Sequence, residues 1–466
     1  MLFDTQLRAV DQAYMRVHAT HRAPGWVEQD PDELVESISL TVGKVVPADS
    51  EIVAAGLANQ GETIVAWDRE SGKALAPAIV WQDKRSMPIV DRIKASGLSS
   101  RILADSQLPL DPYFSSTKFR WLMENVPSVQ QAQGRGTLVL GTSDVWLRHR
   151  FNADIATDPS TASRTQLLDL VSGRWHQGLL QAFDLDEETM PRIHPTVGDL
   201  GTLRHRSWQA ELPLRASLVD QQAALAGHGC FEPGGIKATY GTGVFILSNT
   251  GHQVGAIPGL LPTVAWQIGE RLTYAVDGGV FSAGAAIDWL RDVLRMFDDE
   301  AETAQMACSV PDSGGVMFLP ALAGLGAPWW LPNATGAITG LRSTTRPEHI
   351  VRAALEGIAQ RVADIVERVR GEVEVPLVAI DGGLTRNEFL VQYQADLLGI
   401  PLALPSTNEI TARGAALLAG LGAGVFATEE VAAENLQPSA MLMPRQSDKW
   451  RLQERAKWRE FVKQIY

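Results

Sequence analysis

Residues 216–248 read ASLVDQQAALAGHGCFEPGGIKATYGTGVFILS. A β-prone segment, 216–219, runs into Asp220-Gln221-Gln222 and an alanine-rich helix. Further on, two strand-like arms, 236–240 and 244–248, flank Gly241-Thr242-Gly243. Strand to helix, then strand to glycine turn to strand, is the alternation of an α/β chain. A carboxylate where a strand ends faces the loop edge at which α/β sheets place their sites. Asp220 there has two readings: acceptor of a proton from an attacking hydroxyl, or N-cap of the helix that follows. The Gly-Thr-Gly turn also has two. It offers backbone N–H groups and a hydroxyl to phosphate oxygens, or it is an ordinary hairpin turn.

Upstream, apolar runs at 52–58, 64–67 and 76–81 are separated by glycine and charge and predict adjacent strands. Helical spacing at 117–124 and 144–150 predicts helices covering that sheet. Downstream, Thr345-Arg346-Pro347-Glu348 has capping-box form and opens a helix that runs to Gly371. A strand over 376–380, the turn Asp381-Gly382-Gly383 and a helix over 385–398 follow. With Asn387 this turn would hold an adenine by close backbone contact and an amide, or serve only to connect strand to helix. Trp81 and Tyr113 are open between a polyol pocket and the core.

The chain has 466 residues, 45% hydrophobic and 20% charged, enough for two cores. Its formal charge of -13 works against nucleic acid or an anionic membrane as a partner. Small molecules are expected instead. Two cysteines, Cys230 and Cys308, fit a reducing compartment, so the expected localisation is cytoplasmic. The first thirty residues lack an apolar run of secretory type, and 414–427 is too short to span a bilayer.

These features recur in one order along the chain. Residues 113–124, YFSSTKFRWLME, resemble the first signature of the FGGY family of carbohydrate kinases, and Gly336-Ala-Ile-Thr-Gly-Leu341 with His349-Ile-Val-Arg-Ala-Ala-Leu-Glu356 resembles the second. The segments 24–31, 111–114, 162–165, 325–329 and 381–383 are similar to glycerol kinases of that family. The resemblance spans residue 1 to about 425. It implies an α/β fold of two ribonuclease-H-like (actin-like ATPase) domains with ATP and substrate in the cleft between them. The expected division is 1–226 on the substrate side, 227–436 on the nucleotide side and a helical tail over 437–466. It implies ATP-dependent phosphorylation of a terminal hydroxyl of a polyol or sugar, with Mg2+ and commonly a homo-oligomer. Position by position, Asp220 matches the catalytic base and a magnesium ligand. Glu62, Trp81, Tyr113, Gln221 and Phe245 match substrate contacts. Gly241, Thr242, Gly284, Asp288, Gly383 and Asn387 match the nucleotide site, although Asp288 stands where glycerol kinases carry glutamine.

Two departures matter. Asn59-Gln60-Gly61-Glu62 stands where glycerol kinases read Asn-Gln-Arg-Glu, an arginine that holds polyol hydroxyls. Losing a charged hydrogen bond costs about 1.5–3 kcal/mol, and the vacated volume predicts a four- or five-carbon polyol or ketose. The second departure is at the start. Met1-Leu2-Phe3-Asp4-Thr5 resembles the second arm of a phosphate-gripping hairpin whose first arm and Asp-x-Gly-Thr-Thr turn the family places before it. The expectation is a chain that begins midway through that hairpin, by a misplaced start or a truncated gene, with unpaired backbone in neighbouring strands. The alternative function is then a catalytically impaired pseudokinase acting as a ligand-binding or regulatory protein.

Overall fold

In the computed structural model, which describes residues 1–47 and 50–466, the apolar runs and helices resolve into units built on separate sheets. β1 (Leu2–Phe3) pairs with β2 (Ala9–Asp11), and β3 (Ala19–Thr20) and β4 (Glu28–Gln29) lead into helix α1 (Pro31–Val45). Next come β5 (Ala55–Asn59), β6 (Ile64–Asp68), β7 (Ala78–Ile79), helix α2 (Ser115–Asn125), β8 (Leu138–Thr142) and helix α3 (Ser143–Arg150). The strands order as β3-β4-β7-β6-β8. β6 is buried at every position because elements cover both its faces, which is why it reads as an unbroken apolar run.

β5 does not join that sheet, contrary to the expectation from 52–58. After the short helix α4 (Pro159–Ser163) come β9 (Thr202–Leu203) and β10 (Leu212–Val219), and β5 pairs in parallel with β10. The register places Asn59 beside Val219. Parallel pairing brings the carboxyl ends of both strands to one edge, so Gln60-Gly61-Glu62 and Asp220 leave the sheet side by side. β1 and the outer edge of β5 each keep one side without a strand partner among the described residues.

Helix α5 (Asp220–Gly227) follows directly, then β11 (Ile236–Tyr240), β12 (Val244–Gly251), β13 (Leu261–Ile268), β14 (Arg271–Val280) and helix α6 (Gly284–Asp292). The remaining elements are helix α7 (Pro347–Arg370), β15 (Val378–Asp381), helix α8 (Glu388–Leu398), β16 (Leu402–Leu404), helix α9 (Ile410–Gly422), β17 (Ala440–Leu442) and helix α10 (Asp448–Ile465). The second large sheet runs β13-β14-β12-β11-β15-β16-β17, an antiparallel meander continued by the parallel β15 and β16. α7 buries Val351, Leu355, Ile358, Val362, Ile365 and Val369 against it. Its cap differs from the expected one: Arg346 is the N-cap and donates its N–H to His349 Nδ1 at 3.1 Å. Thr345 instead accepts the N–H of Arg342, closing the turn that precedes the helix.

The tail is integrated into this second unit. β17 extends the sheet, and α10 buries Arg455 and Trp458 against Asp364 of α7. α5 and α9 approach backbone to backbone: a Cβ at Gly414 would stand 1.8 Å from the Ala223 carbonyl oxygen, and one at Gly227 2.2 Å from that of Ile410. One apolar cluster, including Leu218, Leu225, Leu247, Ala275 and Leu417, ties β10, α5 and α9 to the second sheet. Asp220 therefore sits on a rigid junction between the two sheets.

Candidate active site

The site begins at the shared edge of β5 and β10. Asp220 occupies the first position of α5 and is half-buried. The N-cap is Val219, whose cap has no side-chain hydrogen bond, so the capping reading of Asp220 does not hold. Its Oδ1 accepts the N–H of Gln221 at 2.7 Å. Burial pushes the carboxyl up to about 6; the Lys237 ammonium opposes the shift and the Glu62 carboxylate adds to it. Lys237, fully buried on β11, donates to Gln221 Oε1 and to Thr239 Oγ1.

A cavity of about 90 Å³ opens beside Asp220, enclosed by Gly61, Glu62, Trp81, Tyr113, Gln221 and Phe245 among others. Asp220 and the five other residues expected to contact substrate, Glu62, Trp81, Tyr113, Gln221 and Phe245, thus meet in one place. Trp81 stands edge-on to Tyr113 with ring centres 5.7 Å apart and edge-on to Phe245 at 6.4 Å, so three aromatic rings form one wall. Phe245 and Leu247 point the same way because β12 alternates its faces, and the pairing with β14 puts Asp277 opposite Leu247. Beneath Tyr113 the wholly buried Lys118 donates to its carbonyl oxygen, and burial pushes that ammonium down to about 8.

Two charged lining residues were not singled out from the sequence. Arg164 follows α4 and is 4% exposed; its Nε donates to Glu62 Oε1 at 2.6 Å and its Nη2 lies 3.0 Å from Asp277 Oδ2. The block 162–165 carried the resemblance without a role for its arginine. The signal for Asp277 was a lone carboxylate in the apolar, glycine-flanked run 274–280. α4 is held from several sides: Asp158 caps it through the N–H groups of Ser160 and Thr161, and Val219 donates its N–H to Ser160 Oγ at 3.1 Å. Ser163 Oγ lies 2.8 Å from Thr263 Oγ1 of β13, so α4 bridges both sheets.

Gly61 lines the cavity and is closely approached by its neighbours. A Cβ there would stand 3.1 and 3.3 Å from the methyls of Val219 and 3.4 Å from Arg164 Cγ. A side chain added at Gly61 would therefore need Val219 and Arg164 to give by a few tenths of an ångström.

The nucleotide-side residues divide. Gly241 and Thr242 are exposed in the turn that follows β11. Gly284 packs on the turn, where a Cβ would stand 2.7 Å from the Gly241 carbonyl oxygen. Its N–H is bonded to that oxygen and the N–H of Ala285 to Thr242 O, so α6 locks the turn and does not present these donors to a ligand. Gly382, with φ of 98°, lies against the Tyr240 backbone and brings the exposed Gly383 beside the same turn. Asn387 is committed to structure: its Oδ1 caps α8 through the N–H of Leu390, and its Nδ2 donates to Thr303 Oγ1 at 2.9 Å. Asp288 pairs with Arg291 one turn along α6. Asp381, just before the loop, receives a 2.6 Å bond from His228 Nε2 at the end of α5.

Known proteins resemble this chain over most of its length. The profile of the FGGY family of carbohydrate kinases, N-terminal domain, matches residues 1–227, and that of the C-terminal domain matches 236–423. Glycerol kinase from Halorhodospira halophila is 42% identical over 96% of this chain and 90% of its own length. Glycerol kinase 2 from Thermotoga maritima is 39% identical over 99% and 95%. The crystal structure of Plasmodium falciparum glycerol kinase with ADP superposes with a TM-score of 0.94 at 30% identity, covering 99% of this chain and 95% of that one. A xylulose kinase from Lactobacillus acidophilus, at 20% identity and a TM-score of 0.86 over 98% and 92%, shares the fold.

Proposed function

The chain belongs to the FGGY family of carbohydrate kinases, with the two-domain actin-like ATPase fold, and from that premise we propose that it phosphorylates a short neutral polyol of glycerol's size. The general reaction is ATP-dependent phosphoryl transfer to a hydroxyl of a polyol or sugar. None of these relatives favours a pseudokinase.

One observation carries the choice of substrate: the cavity beside Asp220 is small, about 90 Å³, and lined by three aromatic rings and several polar groups, which suits a short polyol. Three carboxylates, Glu62, Asp220 and Asp277, line it against one guanidinium. That balance disfavours an acid sugar.

Asp220 takes the proton of the reacting hydroxyl, and the alkoxide oxygen attacks the γ-phosphorus in line. The aromatic wall packs on the carbon skeleton, and Gln221, fixed by Lys237, orients a neighbouring hydroxyl. The N–H groups and hydroxyl of the Gly241–Thr242 turn receive phosphate oxygens, while Gly383 lets backbone approach the adenosine. Asp288, tied to Arg291, would serve the ribose only through its exposed side. Among the described residues no group of three or more carboxylate, His or Cys ligands could hold a metal. This suits Mg2+ brought in by ATP and bound by phosphates with Asp220 as the protein carboxylate, and the ion when bound neutralises phosphate charge. No described helix is long and apolar enough to cross a membrane; a cytoplasmic homo-oligomer completes the reading.

A coupled ADP-release assay over glycerol, erythritol, xylitol, xylulose and gluconate tests it. Glycerol is expected to give the highest kcat/KM and gluconate the lowest. A four- or five-carbon substrate in first place would refute the size argument.

A pH dependence follows. The base must be deprotonated, and its carboxyl is raised to about 6, so kcat/KM should be level above that pH and fall about tenfold per unit below it. A profile flat down to about pH 4.5 would mean that no group of this kind is the base.

A further inference from the structure

We propose that Arg164 is the residue that binds the acceptor's non-reacting hydroxyls, and that Glu62 and Asp277 act chiefly to aim it; this rests on the polyol-kinase reading above. Among the described residues, Arg164 is the only cationic side chain lining the cavity. Two of its nitrogens are held by carboxylates, Nε by Glu62 and Nη2 by Asp277, and Nη2 also lies 3.4 Å from the Tyr113 hydroxyl. The third, Nη1, is buried and has no hydrogen-bond partner among the described residues.

A guanidinium carries five N–H donors and no acceptor. Leaving a donor of a charged group unmet in the interior is costly, and interiors rarely do so without a reason. Because Arg164 lines the cavity, the partner the proposal assigns to this donor is an alcohol oxygen of the bound acceptor. The carboxylates complement it: Glu62 Oε2 and Asp277 Oδ1 receive no protein hydrogen bond among the described residues, and so can accept from hydroxyls whose oxygens face Nη1. One donor flanked by two acceptors is a recognition pattern for adjacent hydroxyl groups.

The arm is placed by architecture. Its stem runs past the bare backbone of Gly61, with Cγ 3.4 Å from where a Cβ would be. The short helix before it is pinned to β10 through Ser160 and to β13 through Ser163. Its charge lies over the edge of the Tyr113 ring, 5.6 Å from the centre. A residue held from this many directions has little freedom to serve elsewhere.

The test compares Arg164→Gln and Arg164→Lys with the wild type on glycerol, propane-1,2-diol and propane-1,3-diol. For glycerol, Arg164→Gln should raise KM by roughly ten- to a hundred-fold, the loss expected for a hydrogen bond to a charged group, with KM for ATP unchanged. Lysine keeps the charge but not the planar fork and should fall between. The discriminating readout is the diols: the one lacking the contacted hydroxyl should lose at least five times less than glycerol does. Equal losses on all three substrates would show that Arg164 only props the pocket, and would overturn the proposal. Should the glutamine variant fail to fold, the lysine variant carries the same comparison. Wild-type enzyme that phosphorylates none of the three would instead strike the polyol reading itself.

Discussion

Asp220→Ala is expected to lower kcat by roughly 10²- to 10⁴-fold, the usual contribution of a positioned general base, while ATP still binds. Asp220 faces a cavity whose other carboxylates are engaged: Glu62 and Asp277 both hold Arg164. Removing the carboxylate also leaves the nucleotide elements intact, since the turn at 241–243 is locked by α6 and braced by Gly382. Asp220→Asn should behave similarly, because an amide keeps the shape but cannot accept the proton. Turnover within a few-fold of wild type in both variants, measured by ADP release at saturating substrates, would remove Asp220 from the mechanism.

Asp364→Ala is expected to destabilise the protein by about 3–5 kcal/mol, the cost of stripping one partner from a buried ion pair. Asp364 accepts from Arg361 Nη1 at 2.7 Å, Arg455 Nη2 at 2.8 Å, Trp458 Nε1 at 3.2 Å and Trp329 Nε1 at 3.1 Å. Alanine would leave two buried guanidiniums and two indole N–H groups competing for what remains. Arg455 would still reach Glu367, so α10 should loosen before α7 unfolds. A lowered thermal midpoint with earlier proteolytic loss of the tail is the expected signature. A midpoint equal to wild type would mean that α10 is peripheral to the fold.

The sequence is most informative where a role is local. Asp220 after a strand, the Gly-Thr-Gly turn and the 381–383 loop each announce themselves within a few residues, and the hairpin arms fall at 236–240 and 244–251. Glu62, Trp81, Tyr113, Gln221 and Phe245 came from family resemblance, and the fold brings them to one cavity. What stayed hidden depends on distant contacts. Arg164 meets Glu62 across 102 residues of chain, and no periodicity signals such a pairing. The same contact decides whether Gly61 opens a space or fits into one. β5 was legible as a strand but not as the partner of β10, because pairing is fixed by tertiary register rather than by the segment's own pattern. Asn387 and Gly284 were matched to the nucleotide site by resemblance, and local pattern gave no sign of the bonds they make within the fold.

Mixing the purified chain with Mg2+, ATP and glycerol and following the phosphorus by 31P NMR tests the central claim most directly. Phosphoryl transfer into this cavity predicts a phosphomonoester of glycerol that grows in step with ADP, with little inorganic phosphate. Inorganic phosphate released at a rate indifferent to every polyol, or no reaction at all, would contradict it.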